Sequence, residues 1–156
     1  MHMAKIGIIG AGSWGIALSV LLHNNGHEIT VWSILDDEIN MLKTEHEHKD
    51  KLPGVKLPED MIFTTSLPEA IEGKDILVLA VPSPFTRSTS HNMKPYVADG
   101  QIIVNVAKGI EEHTLMTLSQ IIEEEVPQAN VAVLSGPSHA EEVGRGIPTT
   151  IVVGAK

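Results

Sequence analysis

Residues 5–15 read KIGIIGAGSWG, and this stretch decides the fold. The run Lys5–Ile9 is short, β-branched and apolar towards both faces, as expected of a strand buried on both sides in a parallel sheet. Directly after it, Gly10-Ala11-Gly12-Ser13-Trp14-Gly15 fits the spacing G-x-G-x-x-G, and a helix-like stretch, Trp14–Asn25, follows. Each glycine has a separate task. Gly10 makes the tight turn, Gly12 lets a pyrophosphate approach the backbone, and Gly15 lets helix and strand pack closely. The helix start then presents unpaired N–H groups and a positive dipole end to the phosphates. A glycine-rich turn alone can be purely structural, but here strand, turn, helix and second strand stand in order. The motif lacks the GK[ST] ending of a P-loop, so it does not support nucleotide triphosphate hydrolysis.

Working outward, further apolar runs follow at Glu28–Trp32, Asp75–Val81, Gln101–Val106, Asn130–Leu134 and Thr149–Val153. Between them lie the helix-like stretches Asp36–Thr44, Leu67–Glu72, Pro84–Val97 and Glu111–Val126. Ser66-Leu67-Pro68-Glu69 and Ser138-His139-Ala140-Glu141 both read as capping boxes. Strands alternating with helices imply right-handed βαβ units, hence an α/β, doubly wound, mostly parallel sheet of the Rossmann type. At 156 residues the chain is expected to form one domain, 1–156, binding NAD(P). The stretch Thr44–Lys51, with His46 and His48, is expected to be a solvated loop, because nothing nearby in sequence completes a metal-ligand set.

The absence of cysteine excludes a disulfide scaffold and thiolate chemistry. A net charge of −9 disfavours nucleic acid as a partner and makes each basic group more informative, since a phosphate ligand needs one. No apolar run has the length of a membrane span, and Met1-His2-Met3 does not begin a signal peptide, so a cytoplasmic location is the expectation. Which dinucleotide binds depends on the end of the second strand, where an acidic side chain suits a ribose 2′-OH and a basic one a 2′-phosphate. There the chain reads Trp32-Ser33-Ile34-Leu35-Asp36-Asp37-Glu38, without Arg, Lys or His, so NAD is favoured over NADP.

Four further segments join the glycine turn in a wider pattern. They are Leu52-Pro53-Gly54-Val55-Lys56-Leu57-Pro58, Val81-Pro82-Ser83-Pro84-Phe85, Ala107-Lys108-Gly109-Ile110-Glu111 and Ser135-Gly136-Pro137-Ser138-His139-Ala140-Glu141-Glu142. Together the chain resembles the N-terminal cofactor-binding part of NAD(P)-dependent glycerol-3-phosphate dehydrogenases. The resemblance implies hydride transfer between NAD(P)H and glycerol 3-phosphate or dihydroxyacetone phosphate, in glycerophospholipid metabolism. It assigns the pyrophosphate to Gly10, Ala11, Gly12, Ser13, Trp14 and Gly15, and further cofactor contacts to Ile34, Phe85, Lys108 and Ala140. Substrate contacts fall to Lys108, Gly136 and Ser138. It implies no metal and no catalytic proton carrier in this chain, that role belonging to a lysine of a helical C-terminal domain outside it, with a homodimer as the full-length form. The apolar residue at Ile34 departs from the basic one of NADPH-preferring members.

Plainer readings stand beside these. Phe85 fits a core position, Ser138 a helix N-cap, Lys108 a solvated surface, and His139 an exposed loop as well as a general base. Two other functions also fit the turn: another two-domain dehydrogenase, acting on a 2-hydroxy acid, a sugar nucleotide or ketopantoate, or a non-catalytic NAD-sensing module.

Overall fold

A computed structural model describes residues 2–136 and 139–155. Seven strands form one sheet in the order β3-β2-β1-β4-β5-β6-β7. They are β1 (Lys5–Ile9), β2 (Glu28–Trp32), β3 (Ile62–Thr64), β4 (Ile76–Leu79), β5 (Ile102–Asn105), β6 (Asn130–Ser135) and β7 (Val152–Ala155). The first six are mutually parallel and β7 is antiparallel to β6. The expected doubly wound, mostly parallel sheet is therefore the fold. The chain order reverses between β1 and β4, which creates a crevice at their carboxyl ends.

Helices α1 (Ser13–Asn24), α2 (Asp36–Glu45), α3 (Leu67–Ile71), α4 (Thr86–Met93), α5 (Leu118–Glu125) and α6 (Ala140–Gly144) are interleaved with the strands. Two apolar clusters form the core. One holds Ile6, Ile8, Ile16, Ile29 and Leu42, the other Ile9, Leu77, Leu79, Ile103 and Ile122. Alternate residues of β1 thus enter different clusters, as the period of a strand requires. Ile8 and Ile9 are both 0% exposed, and each such side chain contributes about 1.5–3 kcal/mol by leaving water.

Several elements differ from the sequence reading. β3 is unexpected there, because three residues at a sheet edge are too few to show a period. The stretch Pro84–Val97 is a helix only over Thr86–Met93, with 3-10 turns at Ser83–Phe85 and Lys94–Tyr96. Pro95 lacks the N–H that would continue α4. The stretch Glu111–Val126 becomes helical only at Leu118, since Leu115 takes a left-handed conformation (φ 59°) and Thr117 caps α5 reciprocally with Gln120. The last strand begins three residues later than expected and runs antiparallel.

Of the two expected capping boxes, Ser66 accepts the Glu69 N–H, but the Glu69 carboxylate turns to the Thr64 hydroxyl at 2.7 Å. Ser138 lies outside the described residues. α6 starts at Ala140 with His139 in the N-cap position, one residue later than that box implies.

Candidate functional site

The crevice between β1 and β4 opens into a cleft of about 780 Å³, within the usual range for small-molecule sites. Its walls come from the loops after β1, β2, β4 and β5 and from the start of α6. The turn after β1 forms the floor. Gly10 has φ 121°, and a Cβ there would meet the Ala80 carbonyl oxygen at 2.7 Å. A Cβ on Gly15 would come within 2.3 Å of the Gly10 oxygen. Gly12 differs from both. It has an extended backbone (φ −72°, ψ 178°), and nothing lies within 4 Å of its Cβ position. Two glycines are therefore demanded by the fold, and the third keeps space free above the turn.

Gly12 is also the N-cap of α1. No side chain caps this helix, and its first turn carries no acidic residue. The free N–H groups and the dipole face the cleft, an arrangement suited to a pyrophosphate.

Gly10, Ala11, Gly12, Ser13, Trp14, Ile34, Phe85, Lys108 and Ala140 all line this cleft. Gly15 does not line it and acts through packing. Phe85 is 58% exposed, so it is a wall of the cleft and not a core residue. Ile34 is 74% exposed, an apolar surface at the end of β2. Lys108 is exposed, and its Nζ donates to the Gly136 carbonyl at 3.0 Å, which joins two of the three residues assigned to substrate. His139 is exposed on the same wall. Ser138, the remaining substrate candidate, is not among the described residues.

Of the stretch expected to be a solvated loop, Thr44, Glu45, Lys49, Asp50 and Lys51 are exposed, but His48 is not. His48 is 2% exposed, and its Nε2 lies 2.7 Å from an oxygen of Glu38, itself only 8% exposed. The same oxygen accepts from Lys51 Nζ at 2.7 Å, and the other accepts the Ser33 hydroxyl. Burial on its own would raise the pKa of Glu38, but these three hydrogen bonds and the Lys51 charge outweigh it and hold the carboxyl below its usual range. His48 is buried because the residues that follow it, Leu52, Val55 and Leu57, at 1%, 6% and 4% exposure, dock into the core. Lys51, Glu38 and Ser33 line the cleft near Ile34, so the structure supplies a cation that the β2 end lacks in sequence. Neither His48 nor Lys51 carries a local sequence signal for this role. Their positions follow from where the loop docks.

A second network ties the cleft walls together. Arg87, two residues beyond Phe85, grips Glu111, three beyond Lys108, through Nε at 2.7 Å and Nη2 at 2.9 Å. Its Nη1 reaches Glu124 and Glu125 at 2.8 Å each. The Arg87 guanidinium and the Thr114 hydroxyl hold the Glu111 carboxyl at about 2, below the usual 4.5. A carboxyl lowered by folding stabilises above its unfolded value and loses that contribution as pH falls through the folded one. The thermal midpoint should therefore decline as pH falls from 4.5 towards 2. Glu111→Gln should flatten part of that decline when melts at about pH 6 and about pH 3 are compared. An unchanged slope would show that the pair adds nothing to stability.

Comparisons with known proteins agree with this geometry. A sequence model described as the NAD-dependent glycerol-3-phosphate dehydrogenase N-terminus matches residues 5–156. The chain is 65% identical over 154 residues to a glycerol-3-phosphate dehydrogenase (NAD(P)+) of Agathobacter rectalis, covering 99% of this chain and 46% of that protein. A protein of the same description from Fusobacterium nucleatum is 59% identical over 155 residues, covering 98% and 46%. A crystal structure of the glycerol-3-phosphate dehydrogenase of Coxiella burnetii superimposes with a TM-score of 0.91 at 30% identity, covering 97% of this chain and 46% of that one. The chain spans about half the length of the relatives it matches. Among the described residues, no helix is long and apolar enough to cross a membrane. The chain belongs to the NAD-dependent glycerol-3-phosphate dehydrogenase family, in the part that family's N-terminal model covers.

Proposed function

We propose that this chain is the NAD(P)-binding half of an oxidoreductase that moves hydride between NAD(P)H and glycerol 3-phosphate or dihydroxyacetone phosphate. The observation that carries the reading is the uncapped start of α1, opening beneath unoccupied space at Gly12 in the switch-point cleft. Both forms of the dinucleotide fit this cradle, and when bound the nicotinamide supplies the hydride chemistry.

The chain's own residues bind and orient. Backbone N–H groups of the Gly10–Gly15 turn hold the pyrophosphate, and Ile34 and Phe85 give apolar surfaces on either side of it. Lys108 and Gly136, joined by their hydrogen bond, form the wall that meets the substrate phosphate and carbonyl. Ser138 and Ala140 complete that wall in the proposal. No residue of this chain is assigned the proton transfer, which belongs to a lysine of a further, helical domain. The proposal extends to a cytoplasmic homodimer that serves glycerophospholipid metabolism.

Calorimetric titration of this chain with NADH should show weak but measurable binding. A chain completed to the relatives' full length should reduce dihydroxyacetone phosphate faster than ketopantoate or 2-oxo acids. Absence of binding, or a faster turnover of another ketone, would overturn the reading.

A further inference from the structure

Among the described residues, two lysines line the large cleft, and they sit at different loops. Lys108 follows β5, whereas Lys51 comes from the loop between α2 and β3 and stands beside Ser33, Ile34 and Leu35 at the carboxyl end of β2. In a sheet of this order, that end is where the adenosine ribose and its 2′ substituent are placed. Resting on the dinucleotide reading above, we infer that Lys51 is the specificity-determining cation of the site, receiving the 2′-phosphate of NADP(H) by exchanging its ion pair with Glu38 for one with the ligand.

Three observations support the exchange. First, Lys51 is held at that place by its backbone and not by its side chain. Its N–H donates to His48 Nδ1 at 3.3 Å, and its carbonyl accepts the Ser13 hydroxyl at 2.8 Å, which ties the loop to the glycine turn. The ammonium can turn while the loop stays docked, and the side chain is 45% exposed.

Second, Glu38 does not need Lys51 in order to remain satisfied. Because His48 Nδ1 accepts a backbone N–H, the ring proton of the neutral imidazole sits on Nε2 and is donated to Glu38. The Ser33 hydroxyl serves the other carboxylate oxygen. When Lys51 leaves, two donors still hold the buried carboxylate. Its charge stays close by, however, and opposes an incoming phosphate, so Lys51 is needed to offset it.

Third, the two other carboxylates of the run at the β2 end do not line this cleft. Asp36 and Asp37 are exposed on the first turn of α2 and border an adjacent, smaller hollow together with Asp50. Ile34, Leu35, Glu38 and Lys51 line both spaces, so Lys51 is the lysine placed to offset these carboxylates as well as Glu38.

The test is titration of this chain with NADH and with NADPH, each at low and at moderate salt, in wild type, Lys51→Met and Lys51→Arg. Lys51→Met should weaken NADPH about tenfold and lower its salt dependence, in line with the loss of one charge-assisted contact. NADH should change by less than about twofold, because its 2′-OH carries no charge for Lys51 to meet. Lys51→Arg should retain NADPH binding. Since the loop is anchored by Leu52, Val55 and Leu57 and by the Lys51 backbone, and not by the Lys51 side chain, thermal midpoints should change little and the variants remain comparable. If both cofactors bind and Lys51→Met leaves their ratio unmoved, the inference is overturned and the dinucleotide reading stands. If wild type binds neither, the dinucleotide reading falls and takes the inference with it.

Discussion

Gly12→Val should abolish dinucleotide binding while leaving the fold intact. The backbone at Gly12 is extended, a conformation open to any residue, and the Cβ position has no neighbour within 4 Å. Valine there should shift the thermal midpoint by no more than about 3 °C, equivalent to roughly 1 kcal/mol in a chain of this size. A pyrophosphate, however, must reach hydrogen-bonding distance of the backbone, about 2.9 Å. The isopropyl group would fill that space, so calorimetry should detect at least a hundredfold loss, and in practice no binding. The contrast with Gly15→Val makes the result specific. A Cβ at Gly15 meets the Gly10 oxygen at 2.3 Å, so that variant should be destabilised by about 1–3 kcal/mol or more, as for an overpacked core. Unchanged NADH affinity in a folded Gly12→Val protein would remove the pyrophosphate from this turn.

Lys108→Ala should lower kcat/KM by about a hundredfold in a chain completed to the relatives' length, the loss expected of one well-placed electrostatic group. Lys108 is exposed on the cleft wall and donates to Gly136, so its ammonium is positioned and not free to wander. It can attract the substrate phosphate or polarise the carbonyl. The 156-residue chain should nonetheless show no oxidation of NADH by dihydroxyacetone phosphate. Near-attack geometry and a proton carrier are both required. One cation in an open, wet site is screened by water and supplies little on its own. NADH absorbance, followed for the short chain, the completed chain and its Lys108→Ala variant at matched concentration, decides the matter. Robust turnover by the short chain would show that the catalytic groups lie elsewhere than proposed. Normal efficiency in the variant would return Lys108 to the solvated surface.

Much of this molecule is legible in its sequence. Strands buried on both faces must be apolar throughout, so β1, β2, β4, β5 and β6 stood out as runs. The glycine turn was readable because its demands are local and steric, and they fall at a fixed spacing. The loops after β4 and β5 were placed correctly for the same reason, each following a recognisable strand. Legibility failed where a local pattern was outweighed by something outside it. Residues 111–117 have helical composition, yet the Thr114 hydroxyl, accepting the Met116 N–H and bonding Glu111, holds a turn that delays α5 to Leu118.

The amino-acid sequence by itself determined the order of the strands other than β3, the glycine turn and the chemistry that turn favours, because each depends on neighbours a few residues apart. Only the tertiary structure decided which charges meet at the end of β2. Leu52, Val55 and Leu57 leave water by docking into the core, and that burial carries His48 and Lys51 back onto Glu38, ten and thirteen residues away along the chain. Such a meeting has no period and no motif, since it follows from the hydrophobic burial of a loop and not from the residues whose charges are brought together.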